Sequence, residues 1–478
     1  MVWLKRRRVL VLASIFILTW LVIIIYTPSP SGSQKNANHG AKRGASQQKP
    51  PQSGSRRSGK LPRIRIVDVD ENPSIDKEEQ KIETQLRDAS QDFSDNKNLT
   101  FSKIKILDGE NGDSKALLNI ELDLIPHALP EGVRTQGAIW NLAGSWVNSK
   151  QITPADNPDL GMVLNAMANR PIVKADIGYK GTQLKARLEL SGGQWVVFKP
   201  GRYTRDHVID GTPYAGYDRH TGEIAAFHLD RVLGFHRAPI VVGRRINLRT
   251  EIKPVASQSL LNTFLNRGNQ TCFYGKCYYC KPEEPACADE HDMMEGSLTL
   301  WLPRDKKLKK WHHLWSRTYR DNKKAQWEHD NNYCQGVLEK YPLEKHRHIM
   351  DILDTAAFDY LIGNADRHQY ETFEADGDQA MLLLMDSAKS FGNPHHDERS
   401  ILAPLYQCCK IRKSTWDKLL SLQDGRLSHV MRRVLSHDPL APILTELHLQ
   451  AMDRRLVTVI ATIKKCLSDH GAEYVLLM

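Results

Sequence analysis

No internal repeat runs through the 478 residues, which excludes architectures built by stacking one unit. No nucleic-acid-binding motif appears in the context such motifs require. The net charge of +10 therefore points to anionic glycans or membrane surfaces. Apolar side chains are scarce between residue 27 and about 60, where Ser, Gly, Gln, Pro, Lys and Arg dominate. Such a stretch cannot bury enough surface to offset its ordering entropy, so it reads as a flexible stem. There is no odd cysteine among the eight, and no small-x-small cleavage site follows the first apolar run.

That run is Val9 to Tyr26, broken only by Ser14 and Thr19 and preceded by Lys5-Arg6-Arg7-Arg8. It is just long enough to span a hydrocarbon core, and its basic flank predicts a cytosolic N-terminus. The expected organisation is a cytosolic tail over 1–8, an uncleaved signal-anchor over 9–26, a largely disordered lumenal stem over 27–129 and a globular domain over 130–478. The protein would then be single-pass type II, with its cysteines in an oxidising lumen. Disulfides are the expectation there; a zinc site is the alternative for the cluster Cys272, Cys277, Cys280 and Cys287, given the Cys277-x-x-Cys280 spacing. The sequons at Asn98 and Asn269 fit lumenal exposure.

Within the globular domain, Leu160–Asn169 reads as a short helix. The segments 172–177, 182–190 and 194–199 read as three antiparallel strands joined by glycine turns. Glu223–Phe235 reads as a helix with Ala226, Leu229 and Leu233 on its apolar face, and His346–Ile362 as a longer one. The chain beyond about Gly296 is expected to be mainly helical. The fold class is α+β: a small antiparallel-sheet N-lobe over about 130–296 and a larger helical C-lobe over about 303–478, with the functional cleft between them.

Two aspartates twenty positions apart carry the chemistry. Asp366 lies in Gly363-Asn-Ala-Asp-Arg-His368, and Asp386 closes the apolar run Met381–Met385, which reads as a buried strand. One carboxylate on a loop meets an acceptor hydroxyl, and one at a strand end holds a divalent cation against phosphates. Upstream, Lys199 ends the third strand and Glu223 opens the following helix, the pair that neutralises nucleotide phosphates in a two-lobed phosphotransferase. Each residue alone has an ordinary reading as a strand-end lysine, a helix-start carboxylate or a solvated loop aspartate. Lys, Glu, Asp and Asp in that order, each on the expected element, make coincidence the weaker account. The turn Gly178–Gly181 with Thr182 and Gln183 sits where a phosphate-covering hairpin belongs, with Lys180 or Lys185 adding charge. Ser297–Pro303 would join the lobes and read a base with its backbone.

The motifs Lys180-Gly-Thr-Gln-Leu-Lys185, Phe198-Lys-Pro200, Glu223-Ile-Ala-Ala-Phe-His-Leu-Asp-Arg231, Cys272-Phe-Tyr-Gly-Lys-Cys277, Gly363-Asn-Ala-Asp-Arg-His368 and Ser400-Ile-Leu-Ala-Pro-Leu-Tyr-Gln-Cys-Cys409 resemble the secretory-pathway kinase family that includes the Golgi casein kinase. The likeness runs from about Pro130 to Cys466 and leans to the sugar-kinase branch. It implies an atypical bilobal kinase fold in the Golgi lumen, using ATP with Mn²⁺ or Mg²⁺. The implied acceptor is the 2-hydroxyl of xylose, in the linkage glycan on proteoglycan core proteins. By motif, Asp366 is implied to be catalytic, and Glu223 and Asp386 to hold the metal. Gln183, Lys199, Thr299, Leu300, Trp301, Leu302, Glu371 and Asp386 fall at nucleotide-contacting positions. The likeness pairs Cys272 with Cys287 and Cys277 with Cys280. It ties Cys408 and Cys409 to Cys334 and Cys466, with Cys334–Cys408 and Cys409–Cys466 expected and the crossed pairing as the alternative.

The chain departs from ordinary protein kinases: it has no Gly-x-Gly-x-x-Gly, no His-Arg-Asp order, and Glu371 where an asparagine is usual. Three other readings compete. One is a kinase for Ser in secreted acidic proteins. Another is a Golgi glycosyltransferase using Asp68-Val-Asp70 or Asp376-Gly-Asp378 as its metal pair, and the last is a non-catalytic scaffold.

Overall fold

In the computed structural model, residues 137–155, 157–178, 181–320 and 322–478 are described. The expected tail, anchor and stem, Asn98, Asp68-Val-Asp70 and Lys180 lie outside them. No helix among the described residues is long and apolar enough to cross a membrane.

Helices α1 (Ala138–Ser145) and α2 (Leu160–Asn169) lead into strands β1 (Ile172–Ile177), β2 (Ala186–Leu190) and β3 (Gln194–Pro200). The strand expected from residue 182 starts four residues later. Thr182 and Gln183 stay in the turn, whose Gly181 has φ +109°. Helix α3 (His220–Val232) begins three residues earlier than its apolar face suggested, because His220 and Gly222 are buried along with that face. Next come β4 (Val241–Asn247), a small sheet of β5 (Phe264–Arg267), β6 (Gln270–Phe273) and β7 (Ala286–Cys287), and β8 (Met293–Leu300). The main sheet is antiparallel in the order β1-β2-β3-β8-β4. Val196 and Phe198 point into the core from β3, so period-two alternation turns Lys199 to the opposite face.

Beyond Gly296 the chain is not purely helical. β9 (Leu308–His312) pairs with β10 (Gln369–Phe373), which directly follows the Asp366 turn. The helices of this half are α4 (Tyr333–Lys340), α5 (Arg347–Ile362), α6 (Ala403–Cys408), α7 (Lys413–Ser421), α8 (Arg426–Leu435) and α9 (Glu446–His470). The α5 helix is buried from His348 to Ile362 and forms the axis of the lobe. Disulfides join Cys272–Cys287, Cys277–Cys280, Cys334–Cys408 and Cys409–Cys466, so the cysteine cluster holds disulfides in place of zinc.

The run Met381–Met385 is buried and extended but is not a strand. Its only ladder contact is Leu383, whose N–H donates to the Glu371 carbonyl at 2.9 Å. The Leu382 N–H goes to the Asp351 carboxylate (2.8 Å) and the Leu384 N–H to the Arg237 carbonyl (3.0 Å). Apart from that single bridge its backbone donors find partners outside any sheet, so apolar continuity alone overstated the strand.

Candidate active site

The site forms where the end of β3, the start of α3, the turn after α5 and the loop after Met385 converge. Lys199, its side chain only 7% exposed, lies 2.6 Å from Glu223, 2.5 Å from Asp386 and 3.0 Å from Asp218. Burial by itself would lower the ammonium pKa. Asp218, Asp386 and Glu223 outweigh burial and hold it well above the ordinary lysine value. Lys199 in turn is the main reason that the Asp386 carboxyl sits well below the usual carboxylate range. The Asp386 side chain stays two-thirds exposed to the cleft (67%).

Glu223 does more than steady the lysine. Its other oxygen accepts from the Ser387 N–H at 3.1 Å, so one carboxylate holds both Lys199 and the residue after Asp386. The α3 helix can approach this loop because residue 222 is glycine: a Cβ there would lie 3.2 Å from the Ser387 carbonyl. Arg219, just before α3, donates from Nε to the Ser390 carbonyl (2.6 Å), and its N–H donates to the Ala388 carbonyl (2.8 Å). Asp386 itself has φ +58°, a left-handed conformation that Asp tolerates better than most residues.

Gly363 ends α5 at φ +67°, and a Cβ there would meet the Arg455 guanidinium at 3.0 Å. The turn that follows is internally tied. Asn364 Oδ1 accepts from the Asp366 N–H (3.1 Å), and Asn364 Nδ2 donates to Asp359 (3.2 Å). Arg367 makes two bonds to Asp359, at 2.5 and 2.8 Å, and reaches the Met385 carbonyl (3.0 Å) and Ser387 Oγ (3.3 Å). It thereby joins the Asp366 turn to the Asp386 loop. Asp366 Oδ1 accepts from the Tyr319 hydroxyl at 2.7 Å. Burial raises the Asp366 pKa above the ordinary aspartate value, and the Tyr319 bond opposes that rise.

The remaining candidates divide by position. Glu371 on β10 lies near Asp386; burial, and secondarily Asp386, raises its pKa. Gln183 sits half-buried in the glycine turn, and Lys185 contributes positive charge at Asp386. Thr299 and Leu300 belong to β8, and the N–H of Leu300 is taken by the Ile240 carbonyl. Trp301 donates to the Trp195 carbonyl and accepts from Gln194 Nε2 at 3.0 Å. Of the four, only Leu302 has a backbone with no hydrogen-bond partner among the described residues. A cavity of about 400 Å³ adjoins this connection, with Trp195, Ile240, Leu300 and Leu302 in its wall. Asp376 and Asp378 lie in the turn Glu374–Gln379 beside Arg347 and His346, away from Lys199. Asn269 is exposed on the β5–β6 turn.

Sequence reasoning overlooked Asp218, Tyr319, and the Arg367–Asp359 pair. Asp218 and Tyr319 lie in irregular segments where no periodicity marks them. Asp359 did leave a signal, as one of three acidic residues in a helix with a strong apolar face.

Two carboxylates of opposed segments beside one lysine, with a third close by, leave negative charge in excess. That donor set suits a hard divalent ion arriving with nucleotide phosphates. No group of three or more His, Cys, Asp or Glu among the described residues is arranged to hold a metal alone.

The model of the family described as Golgi casein kinase, C-terminal, Fam20 matches residues 138–475. The human glycosaminoglycan xylosylkinase is 55% identical over 382 residues, 79% of this chain and 93% of that protein. A solved structure of hydra Fam20 with sugar is 48% identical, with a TM-score of 0.68 over 71% of this chain and 98% of that one. A crystal structure of the Golgi casein kinase with Mn and ADP bound is 31% identical. Its TM-score is also 0.68, over 76% of this chain and 88% of that one.

Proposed function

This chain belongs to the Fam20 family of Golgi casein kinases, and from that premise we propose that it phosphorylates the 2-hydroxyl of xylose in the linkage glycan of proteoglycan core proteins. It is an ATP-dependent phosphotransferase of the secretory pathway with a bilobal kinase-like fold, and the family uses Mn²⁺. The observation that carries the reading is the convergence of Lys199, Glu223 and Asp386 opposite Asp366, joined to 55% identity with a glycosaminoglycan xylosylkinase.

Asp366 accepts a hydrogen bond from the acceptor hydroxyl and aims it at the γ-phosphorus. Positioning dominates because the transition state is loose, so the hydroxyl need not be deprotonated beforehand. Its raised pKa keeps the carboxylate a better proton acceptor than an exposed aspartate. The acceptor must first take the place of the Tyr319 hydroxyl. Lys199 offsets phosphate charge, Lys185 adds to it from the glycine turn, and the free Leu302 backbone is placed to read the base. Glu223 and Asp386 would hold Mn²⁺ or Mg²⁺, which when bound neutralises the phosphate oxygens as charge develops. Glu371, in the place of the usual asparagine, faces the same region.

The basic flank Lys5–Arg8 and the apolar run to Tyr26 support a single-pass type II anchor with the catalytic domain in the Golgi lumen. Asn269 is positioned to carry a glycan there. The second reading, a Ser kinase for acidic secreted proteins, draws on the likeness to the Golgi casein kinase. Incubation with ATP and Mn²⁺, offering a xylose-containing linkage glycan beside a Ser-x-Glu peptide, decides between them. Phosphate on the sugar is expected; phosphate on the peptide alone overturns the proposal.

A further inference from the structure

In the stretch from residue 304 to residue 324 only Tyr319 has a part in the chemistry, yet the stretch is rich in lysine. Lys307, Lys309, Lys310, Lys323 and Lys324 are exposed and Lys306 is half-buried, against one described acid, Asp305. None of these six lysines forms an ion pair among the described residues. Several arginines of the fold behave otherwise: Arg237 pairs with Asp351, Arg412 with Asp354, and Arg454 and Arg455 with Asp397. Lys309 does lie over the Trp311 ring at 3.9 Å, which leaves its charge uncompensated.

The placement of these charges is specific. The segment leaves the lobe connection at Pro303, and the Lys307 carbonyl accepts from the Glu374 N–H at 2.9 Å. It then runs as β9 alongside β10. Lys310 sits opposite Glu371 in that register, so both point to the same face. The chain continues to Tyr319, whose hydroxyl reaches Asp366, and then to Lys323 and Lys324. The segment therefore runs from the lobe connection past Glu371 towards the catalytic carboxylate, with Lys310 on the Glu371 face, Lys309 on the opposite face with Trp311, and Lys323 and Lys324 just beyond Tyr319.

We propose that this lysine border docks an acidic polypeptide segment flanking the residue that carries the acceptor sugar. The proposal rests on the xylose-kinase reading above. Xylose is uncharged, so a charged border cannot read the sugar itself and must read what is attached to it. With the 2-hydroxyl at Asp366, the polypeptide is joined at the neighbouring anomeric carbon, so it leaves the cleft close to Asp366, on the side where Tyr319 leads to Lys323 and Lys324. A row of unpaired lysines would capture an acidic segment, steer its approach and weaken with salt.

The test uses the full chain and its Lys306→Gln/Lys307→Gln/Lys323→Gln/Lys324→Gln variant, with three acceptors. These are a xylosyl-peptide flanked by Asp and Glu, the same peptide with Asn and Gln, and a simple β-xyloside. The expected result is that the variant raises KM for the acidic peptide by about ten-fold, as four modest charge contacts would give. Its kcat, and both constants for the other two acceptors, should stay within about two-fold. Added salt should raise the parent's KM for the acidic peptide only. Equal KM values for acidic and neutral peptides in the parent overturn the proposal. Equal losses on all three acceptors do the same, as does a sulfated oligosaccharide that competes better than the acidic peptide. If no xylose acceptor is phosphorylated at all, the sugar-kinase reading falls and the proposal with it.

Discussion

Replacing Arg367 by methionine is a sharp probe of how the two aspartates are held. The guanidinium makes four bonds: two to Asp359, one to the Met385 carbonyl and one to Ser387 Oγ. Asp359 is 4% exposed, and removing its cation strands a buried carboxylate whose burial already raises its pKa. A broken buried pair costs about 3–5 kcal/mol. In a domain of this size that corresponds to a fall of roughly 4–7 °C in the unfolding midpoint. Asp359→Asn/Arg367→Met removes the stranded charge, so most of that loss should return in thermal or urea unfolding. Turnover should not return with it, because the bonds to Met385 and Ser387 that aim Asp386 are absent from the double variant too. We expect kcat to stay at least about ten-fold down, the equivalent of one lost charge-assisted bond. A double variant that regained both stability and turnover would refute the claim that Arg367 positions the Asp386 loop. An Arg367→Met variant within about 1 kcal/mol of the parent would refute the burial argument.

Asp366→Ala should abolish phosphoryl transfer while ATP binding, followed by fluorescence or calorimetry, stays largely intact; near-normal turnover would sink the assignment. Tyr319→Phe removes the bond that lowers the Asp366 pKa. That pKa should rise further in the free enzyme, and the acidic limb of the kcat/KM–pH profile, where the carboxylate is lost by protonation, should move to higher pH; an unmoved limb argues against Asp366 as the acceptor-facing group. Glu223→Gln keeps an oxygen for the Ser387 N–H but loses the charge. Manganese–nucleotide affinity, read by electron paramagnetic resonance, should fall about ten- to hundred-fold with the fold preserved, and unchanged affinity would exclude Glu223 as a ligand. The Cys277–Cys280 loop touches the glycine turn through Tyr278 N–H to the Gly181 carbonyl (3.0 Å) and Tyr279 N–H to the Thr182 carbonyl (3.3 Å). Cys277→Ser/Cys280→Ser should raise KM for ATP several-fold and leave KM for the acceptor alone; the reverse pattern would move the loop's role to the acceptor.

The two-lobed layout was legible in the chain because its signals are local. Short segments set between glycine turns over 172–177 and 194–199 mark strands, and the apolar face ending at Gly363 marks the helix that delivers Asp366. Where a local signal had two causes, it misled. The run Met381–Met385 is apolar because it is mostly buried, yet it makes only one bridge, from Leu383 to Glu371, while the donors on either side go to Asp351 and Arg237, outside any ladder. The helical expectation beyond Gly296 likewise missed β9 and β10, since β9 is exposed along most of its length and has no apolar alternation.

Lys199, Glu223, Asp366 and Asp386, their order and their approximate elements, were determined by the sequence alone, since residue type and spacing carry that information. So was the contrast between a stem poor in apolar residues and a domain able to fold. Only the tertiary structure decided what holds these groups in place. Asp218 joins Lys199 from an irregular segment, Tyr319 reaches Asp366 across 47 positions, and Glu223 reaches Ser387 across 164. Contacts between residues so far apart leave no periodic trace in either segment. They exist because burial of the α3 and α5 faces brings the two lobes together, and the polar groups trapped there must find partners.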